Sequence, residues 1–431
     1  MEPDQQKMMQ GVGVVAGPPR PDGHPSTGGE SAQATPSEIE NAADESARAR
    51  EGAAKLPPLS LYVHVPWCLR KCPYCDFNSH QRPEVLPETD YIAALLDDLR
   101  TDLPYAQGRE LVSIFFGGGT PSLFSAASFT TFLDEVHKII PCAADIEITL
   151  EANPGTFEQE RFNAYRRAGI NRLSIGIQSF EPAQLLRLGR VHDRSEALRA
   201  ADIARRAGFD NFNLDLMFGL PGQNLDAALA DLRQALACAP THVSWYQLTI
   251  EPNTEFYRRP PTLPGDENVA DMQEAGITLL AEHGFVRYEI SAYAQANRHS
   301  RHNRNYWEFG DYLGIGAGAH GKFTGADGAI HRTRKTLMPS HYLRGADGRL
   351  AQTRMIPVEE LPFEFLLNAL RLREGVPAAL FSARTGLDLD AALGPALTRL
   401  RRDGLLVPGS TRLCTTPRGY NHLNTVLERL L

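Results

Sequence analysis

The sequence predicts an α/β protein, and two features of its pattern lead to that prediction. From residue 59 onward, short apolar runs alternate with longer amphipathic stretches, which is typical of consecutive βα units around a parallel sheet. The composition is that of a globular chain, with 42% hydrophobic and 22% charged residues. For 431 residues we expect two or three folded units, at roughly 100–200 residues per domain.

Six apolar runs each precede a helical stretch. The predicted strands are 59–65, 111–116, 145–151, 171–177, 210–217 and 242–250. The predicted helices are 88–103, 125–139, 157–168, 195–207, 224–237 and 267–283. With right-handed crossovers, six such units form either an open doubly wound sheet or an incomplete barrel, and periodicity alone does not choose between them.

The first 55 residues differ from the rest. They are rich in Gly, Pro, Ser, Ala and Glu, and a segment of this composition buries too little surface to offset the entropy of ordering, so we expect a disordered tail at 1–55. A transit peptide would be rich in Arg and poor in acids. This tail carries acids at Glu2, Asp4, Glu30, Glu38, Glu40, Asp44, Glu45 and Glu51. Import into an organelle is therefore the less favoured interpretation.

After the βα units, which we assign to a core domain at 56–295, the pattern changes twice. Residues 296–354 are rich in Arg, His, Asn, Tyr and Gly and are predicted to be an irregular connecting segment that carries function. Helical periodicity returns at 355–431, with helices near 358–373, 378–385 and 390–403, a hairpin near 405–415 and a helix after Pro417. This is typical of a small, mainly α, winged-helix-like domain, and packing on the core is favoured over nucleic-acid binding.

Net charge, apolar windows and cysteine content limit the kinds of partner and the cellular compartment that we expect. A net charge of -8 gives no general surface for polyanions, so nucleic acid is not an expected partner. The sequence shows neither a window of about 18 apolar residues nor a secretory pattern, and a cytoplasmic location is expected. Six cysteines in a chain of this length do not suggest a disulfide framework. Three of them lie within residues 68–75, which suggests a metal.

The segment Cys68-Leu-Arg-Lys-Cys72-Pro-Tyr-Cys75 directly follows the first predicted strand. Three thiolates on one loop suit a [4Fe–4S] cluster, and with three ligands for four irons, one iron stays open to a ligand that is not protein. Zinc with a fourth ligand such as His64 or His80 is an alternative, as is a chance grouping of thiols. The cluster is the favoured interpretation because the loop lies at the carboxyl end of a strand.

The CxxxCxxC spacing is similar to that of the radical S-adenosylmethionine (SAM) superfamily. The flanking Tyr62-Val-His-Val-Pro-Trp-Cys68 resembles its coproporphyrinogen-oxidase-like branch, and the resemblance runs from about residue 59 to the end. It implies a partial (β/α)6 barrel followed by a C-terminal accessory domain. It also implies that SAM chelates the open iron and is cleaved to a 5′-deoxyadenosyl radical by one electron, which an electron donor must supply. Some relatives place a second SAM beside the first.

The resemblance further implies a set of residues that contact SAM. Gly118, Gly119 and Thr120 follow the second predicted strand, where missing side chains allow close approach of the backbone. Carboxylates suit ribose hydroxyls or an amino group, and an arginine suits a carboxylate. The full set is Tyr62, Tyr74, Gly118, Gly119, Thr120, Glu151, Gln178, Arg190 and Asp215. Each polar member, taken alone, is equally well explained as a satisfied structural group.

Two departures separate this chain from the oxidase of that branch. The oxidase usually continues its motif as CxxxCxxCxC, whereas Phe77 stands at the last position here, and the low-complexity tail replaces an ordered N-terminal segment. In both of these features the chain resembles the HemW family of haem chaperones. That resemblance implies a protein that binds haem and passes it to acceptor apoproteins, with no catalytic residue assigned. The alternative function is oxidative decarboxylation of coproporphyrinogen III.

A second motif supports the chaperone hypothesis. Arg301-His302-Asn303-Arg304-Asn305-Tyr306-Trp307 is similar to the family's HNxxYW motif, which implies haem handling by His302, Tyr306 and Trp307. Imidazole is a usual axial ligand of haem iron, and aromatic rings cover a porphyrin face. An ordinary hydrogen-bonded histidine is the alternative for His302. Some relatives carry a cysteine where Ser300 stands.

Three further features are assigned to structure. The segment Gly314-Ile-Gly316-Ala-Gly318-Ala-His320 lacks the strand, helix and distal acid of a dinucleotide loop and is assigned to backbone packing. The segment from Glu364 to Arg371 is explained by helix packing. The isolated cysteines are predicted to be ordinary buried thiols: Cys142, Cys238 and Cys414.

Overall fold

One twelve-stranded sheet organises the computed structural model, which describes residues 56–156, 158–345 and 348–430. The tail predicted at 1–55 lies outside these residues. The described strands, including two small two-stranded sheets, are β1 (Leu59–Val65), β2 (Trp67–Cys68), β3 (His80–Gln81), β4 (Leu111–Gly118), β5 (Cys142–Ala152), β6 (Arg172–Gln178), β7 (Phe212–Phe218), β8 (His242–Gln247), β9 (Val286–Arg287), β10 (Ala292–Ala294), β11 (Asp311–Ile315), β12 (His320–Thr324), β13 (Ile330–Lys335), β14 (Leu350–Met355), β15 (Val376–Pro377) and β16 (Arg412–Leu413).

The described α-helices cover the sheet and form most of the C-terminal region. They are α1 (Glu88–Ala106), α2 (Ala126–Ile139), α3 (Gln159–Arg167), α4 (Pro182–Arg187), α5 (Arg194–Arg206), α6 (Leu225–Ala237), α7 (Glu255–Arg258), α8 (Asp266–Glu282), α9 (Arg301–Trp307), α10 (Pro339–Tyr342), α11 (Leu361–Ala369), α12 (Ala379–Thr385), α13 (Leu389–Arg402), α14 (Pro417–Asn421) and α15 (Leu423–Glu428). Within the described ranges, no helix combines the length and the apolar character that a bilayer crossing needs.

The strand order confirms the partial barrel. Strands β1, β4, β5, β6, β7 and β8 are parallel and lie side by side in chain order. A doubly wound sheet would instead reverse its order at a switch point. Strand β11 adds to β1 and strand β10 adds to β8, so the six parallel strands are extended at both edges. The six predicted strands and helices agree with this core to within a few residues.

The two faces of the barrel strands differ in chemistry. On β1, Leu59, Leu61 and Val63 are fully buried in the main core together with residues of α1 such as Leu95. Successive side chains alternate between faces of a strand, so Ser60, Tyr62 and His64 lie on the opposite, inner face. The inner face of β1 is therefore polar, in contrast to its apolar outer face.

Helix α9 crosses the amino-terminal ends of the parallel strands. The side chain of Asn305 donates to the Ser60 hydroxyl at 3.0 Å, and His302 lies 2.9 Å from the Ser113 hydroxyl. The backbone amides of Arg301 and His302 donate to the Glu147 carboxylate at 3.1 and 3.2 Å. An acid beside the first amides of a helix is stabilising. Helix α9 is thus anchored inside the barrel, at the end opposite to the cysteine loop.

Residues 296–354 are more regular than the sequence predicts. They contain α9, α10 and the four strands β11 to β14, which extend the sheet beyond β1. These short strands are rich in Gly, Arg and His, so their sequences lack the alternating apolar pattern that predicts a strand. They are strands because they pair with neighbouring strands.

The C-terminal region forms a second core. Phe365, Phe381 and Leu397 lie in it, and so do Ile290 and Phe309 from the preceding segments, so this region packs directly on the barrel. The hairpin predicted near 405–415 is reduced to one bridge between Leu406 and Thr415, because β16 pairs with β15 instead.

Candidate functional site

The cysteine loop is tied at both ends. Cys68 ends β2, which pairs with β3 so that Trp67 lies opposite His80. Within the loop, the amide of Cys75 donates to the carbonyl of Cys72 at 3.1 Å. The three cysteines are half-buried, and they line one cavity of about 530 Å³. The loop therefore presents all three thiols to one space at the carboxyl ends of the strands.

Each thiol has a polar neighbour. The hydroxyl of Thr120 donates to Sγ of Cys68 at 3.6 Å, and Arg190 donates from Nη1 to Sγ of Cys72 at 3.7 Å. The Ser79 hydroxyl lies 3.9 Å from Sγ of Cys75. Burial raises the pKa of the Cys68 thiol, and the neighbouring donors oppose that effect. Donors of this kind favour the thiolate, which is the form that ligates iron.

The two histidines considered as a fourth zinc ligand have other roles. The ring of His64 places Nδ1 at 3.0 Å from the Tyr62 hydroxyl and Nε2 at 2.9 Å from the Asn78 carbonyl. The ring of His80 lies 3.2 Å from the side-chain oxygen of Asn78. Neither histidine lines the cavity that the cysteines share.

Eight of the nine predicted SAM contacts line this cavity. They are Tyr74, Gly118, Gly119, Thr120, Glu151, Gln178, Arg190 and Asp215. Tyr62 is the exception, since its ring stacks on Phe115 with centroids 6.3 Å apart and its hydroxyl contacts His64. In this structure Tyr62 therefore contacts His64 and Phe115 and lies outside the cavity lining.

The glycines at the end of β4, Gly118 and Gly119, are required by the protein itself. Gly118 has φ +109°, and a Cβ there would lie 2.5 Å from the His64 ring. A Cβ on Gly119 would lie 2.5 Å from the Trp67 carbonyl oxygen. These two glycines therefore allow a close approach to His64 of β1 and to Trp67 of β2, and both also line the cavity. The amide of Gly118 also donates to the Glu151 carboxylate at 3.2 Å.

Two half-buried carboxyl groups face the cavity. Burial, together with the nearby Asp215, raises the pKa of Glu151 to about 8. Burial also raises the pKa of Asp215, against hydrogen bonds from Asn213 and Ser174. Two acids held in one poorly hydrated space are relieved by a ligand that brings positive charge or hydroxyl donors. SAM carries a sulfonium, an ammonium and ribose hydroxyls, so the residues present fit it.

Sequence reasoning missed several residues of the site. Arg190 donates from Nη2 to the side-chain oxygen of Asn153 at 2.6 Å and to the Gly176 carbonyl. Tyr246 donates its hydroxyl to Gln178 at 2.7 Å, and Gln178 has φ +70°, which is rare outside glycine. For Asn153 the available signal was the two-residue alternation along a strand, because it lies two positions after Glu151 and one residue past the end of β5.

The HNxxYW residues are divided between the core and the cavity. His302 is 1% exposed, and its ring stacks on Phe115 with centroids 5.0 Å apart. Burial lowers the pKa of His302 to about 3. Tyr306 contacts His302 and does not line the cavity, whereas Trp307 does. Ser300 caps α9 by accepting from the amide of Asn303 at 3.3 Å.

Of the isolated cysteines, only Cys238 is buried, and Cys142 and Cys414 are half-buried.

Comparison with known proteins agrees with this geometry. Residues 62–235 match the model of the radical SAM superfamily, and residues 356–421 match that of the HemN C-terminal domain. The chain is 52% identical over 377 residues to "Heme chaperone HemW" of Escherichia coli, covering 88% of this chain and 99% of the relative. It is 34% identical to "Heme chaperone HemW" of Bacillus subtilis, covering 84% and 96%.

The chain belongs to the HemW family. Its radical SAM region implies a [4Fe–4S] cluster that binds SAM. Among solved structures, coproporphyrinogen III oxidase (HemN) from Escherichia coli, described as a radical SAM enzyme, matches with a TM-score of 0.74 at 21% identity, covering 88% of this chain and 91% of that one. At this identity the match shows that the HemW-family chain shares the fold of HemN.

Proposed function

We propose that this chain is a haem chaperone, which binds haem and passes it to acceptor apoproteins. The observation that carries the proposal is the 52% identity to the Escherichia coli "Heme chaperone HemW" over 99% of its length, against 21% to the HemN oxidase. A titration of the chain with haem tests it. We expect a saturable Soret shift, and the absence of any shift would contradict the proposal.

The proposal assigns the cluster to Cys68, Cys72 and Cys75. Held by these three cysteines, a reduced cluster would supply one electron for the cleavage of SAM. The donors beside the sulfurs, which are Thr120, Ser79 and Arg190, would stabilise the charge on the thiolates. An electron donor protein is a further proposed partner, and a cytoplasmic location is also part of the proposal.

The proposal places SAM in the cavity beside the cluster. The Arg190 guanidinium, held by Asn153 at 2.6 Å, suits the carboxylate of SAM. Glu151 and Asp215 suit its ammonium group and its ribose hydroxyls. Gln178, oriented by Tyr246 at 2.7 Å, would contact the ligand from the same wall.

For haem, we propose that Trp307 supplies aromatic surface and that His302 and Tyr306 act by holding α9 in the barrel. The Ser113 hydroxyl donates to Ser60 at 2.8 Å, so it accepts from Nδ1–H of His302, and Nε2 is left to accept from Tyr306. In this arrangement the nitrogen lone pair that would ligate iron is in use. The sequence-based assignment of His302 as an iron ligand therefore requires the His302 ring to leave its contact with Tyr306.

The oxidase remains the second candidate function because the radical SAM site is complete in outline. Phe77 argues against the oxidase function, because a phenylalanine stands where the oxidase usually has a cysteine. The Phe77 side chain is 56% exposed. The discriminating experiment is anaerobic incubation of the reduced, cluster-loaded chain with SAM and coproporphyrinogen III. We expect no decarboxylated product, and turnover with stoichiometric 5′-deoxyadenosine would favour the oxidase.

A further inference from the structure

The cavity continues from the cysteine loop to the opposite end of the barrel, where a second group of polar side chains lines it. We call this group the floor, and it consists of Glu289, Ser291, Asn303, Trp307 and Arg371. Three separate parts of the chain contribute to it: the segment before β10, helix α9 and the segment after α11. None of these side chains is among the residues assigned to the cluster or to SAM, and only Trp307 has been assigned to haem.

The floor is built around one buried arginine. Arg371 is 6% exposed, and its guanidinium carbon lies 4.3 Å from the centroid of the Trp307 ring. Its Nη2 lies 3.5 Å from a carboxylate oxygen of Glu289, which is 3% exposed. The other carboxylate oxygen of Glu289 accepts from the amide of Ser291 at 3.2 Å. Arg371 is therefore held in a defined position, over an aromatic ring and beside a carboxylate, in the wall of a ligand-sized space.

The floor also offers further donors. Asn303 and Trp307 are four residues apart on α9 and so lie on one face of the helix, and both line the cavity. The indole nitrogen of Trp307 is buried and has no hydrogen-bond partner among the described residues. A buried N–H without an acceptor is costly, and an acceptor on a ligand would remove that cost.

We propose that the floor is a carboxylate-binding subsite centred on Arg371, and that it receives a propionate group of the haem. This inference rests on the proposed haem chaperone function. A guanidinium has five N–H donors and can serve two carboxylates at once, so Glu289 can stay in place when a ligand carboxylate binds. The Trp307 ring lies against the same guanidinium, where it can contact the apolar macrocycle beside its propionate.

The experiment compares haem with haem dimethyl ester, which keeps the ring and the iron but lacks the carboxylate charge. Both are titrated into the wild-type chain and into Arg371→Gln, Arg371→Lys and Trp307→Phe. Arg373→Gln is the matched control, because Arg373 lies two positions away, over the Tyr420 ring, and outside the cavity lining. Thermal unfolding of each variant verifies that it is folded.

We expect the ester to bind the wild-type chain and the Arg373→Gln control about tenfold or more weakly than haem. In Arg371→Gln the affinities for haem and for the ester should become equal. In Arg371→Lys the preference for haem should lie between those of the wild-type chain and Arg371→Gln. Equal affinities in the wild-type chain, a comparison that needs no variant, would overturn the inference and leave the haem chaperone function standing. An undiminished preference for haem in Arg371→Gln would also overturn it.

A SAM titration of the cluster-loaded chain separates the two carboxylates that this cavity can receive. If Arg371→Gln weakens SAM binding and leaves the preference for haem over its ester as in the wild type, the carboxylate at the floor is that of SAM and the haem assignment is overturned. Absence of haem binding by the wild-type chain would contradict the proposed function and this inference together.

Discussion

The hydroxyl of Tyr306 lies 2.8 Å from Nε2 of His302, inside the barrel and away from the cavity. The two residues most suggestive of haem binding in the sequence are therefore bonded to each other. Their contact helps to anchor α9, and through α9 it positions Trp307 at the cavity.

This relationship predicts that His302→Ala acts mainly on stability. Removing the imidazole leaves Ser113 and Tyr306 without their partner and opens a cavity beside Phe115, so we expect the free energy of unfolding to fall by about 2–4 kcal/mol. Ser113→Ala should cost about 1–2 kcal/mol. Chemical denaturation measures both. Haem affinity of the folded variants should change by less than about threefold, and a loss of the Soret shift in His302→Ala but not in Ser113→Ala would show that His302 does ligate iron.

The same histidine predicts a dependence of stability on pH. The pKa of His302 is about 3 in the folded chain, below its value of about 6.5 in the unfolded chain. Because the pKa is lower in the folded chain, the unfolded state binds the proton first as the pH falls. The contribution of neutral His302 to the free energy of unfolding is therefore fully present above pH 6.5 and is lost as the pH falls towards 3. His302→Gln should flatten the pH dependence of unfolding between pH 4 and 6 by about 1.4 kcal/mol per pH unit. An unchanged slope would mean that His302 titrates normally.

The cysteine loop predicts a brown protein with about four irons and four sulfides per chain after anaerobic reconstitution. Single replacement of Cys68, Cys72 or Cys75 by Ala should abolish the cluster. Cys238→Ala is the matched control, because Cys238 is a buried thiol far from the loop in sequence and outside the cavity. Iron and sulfide analysis measures the outcome. A colourless native protein with stoichiometric zinc would contradict the assignment.

The cavity predicts that Arg190→Ala and Asp215→Ala weaken SAM binding by about tenfold or more, since each removes a charge-assisted contact. Equilibrium binding and iron content are measured together, and Asp215→Ala should retain its iron. Tyr62→Phe is the control, because its hydroxyl contacts His64 rather than the cavity. Unchanged affinity in both alanine variants would show that SAM is held elsewhere.

The protonation of Glu151 predicts how SAM binding changes with pH. Its pKa is raised to about 8, so the free carboxyl is largely protonated at neutral pH. If its carboxylate receives the positive charge of SAM, affinity should rise as the pH increases from 6.5 to 8.5, and Glu151→Gln should remove that rise. Calorimetry in two buffers of different ionisation enthalpy would detect the proton released on binding. A rise that persists in the variant would assign the titration to another group.

Much of the barrel was predictable because its signal is local. The alternation of apolar runs and amphipathic stretches located β1, β4, β5, β6, β7 and β8 and most of the intervening helices. The short strands β11 to β14 were not predicted, since residues such as Arg332 and Lys335 become part of a strand only through pairing with their neighbours. Asn153 and Tyr246 were missed because their partners, Arg190 and Gln178, lie far away in sequence.

The sequence by itself determined the βα order, the loop that brings Cys68, Cys72 and Cys75 together, and the family, because spacing along a chain is a local property. Only the tertiary structure decided which polar residues share a space. It turned Tyr62 towards His64, buried His302 against Ser113 and Tyr306, and brought Arg371 from the C-terminal region onto Trp307. The physical reason is that orientation and burial depend on contacts between distant segments, which no pattern within one segment contains.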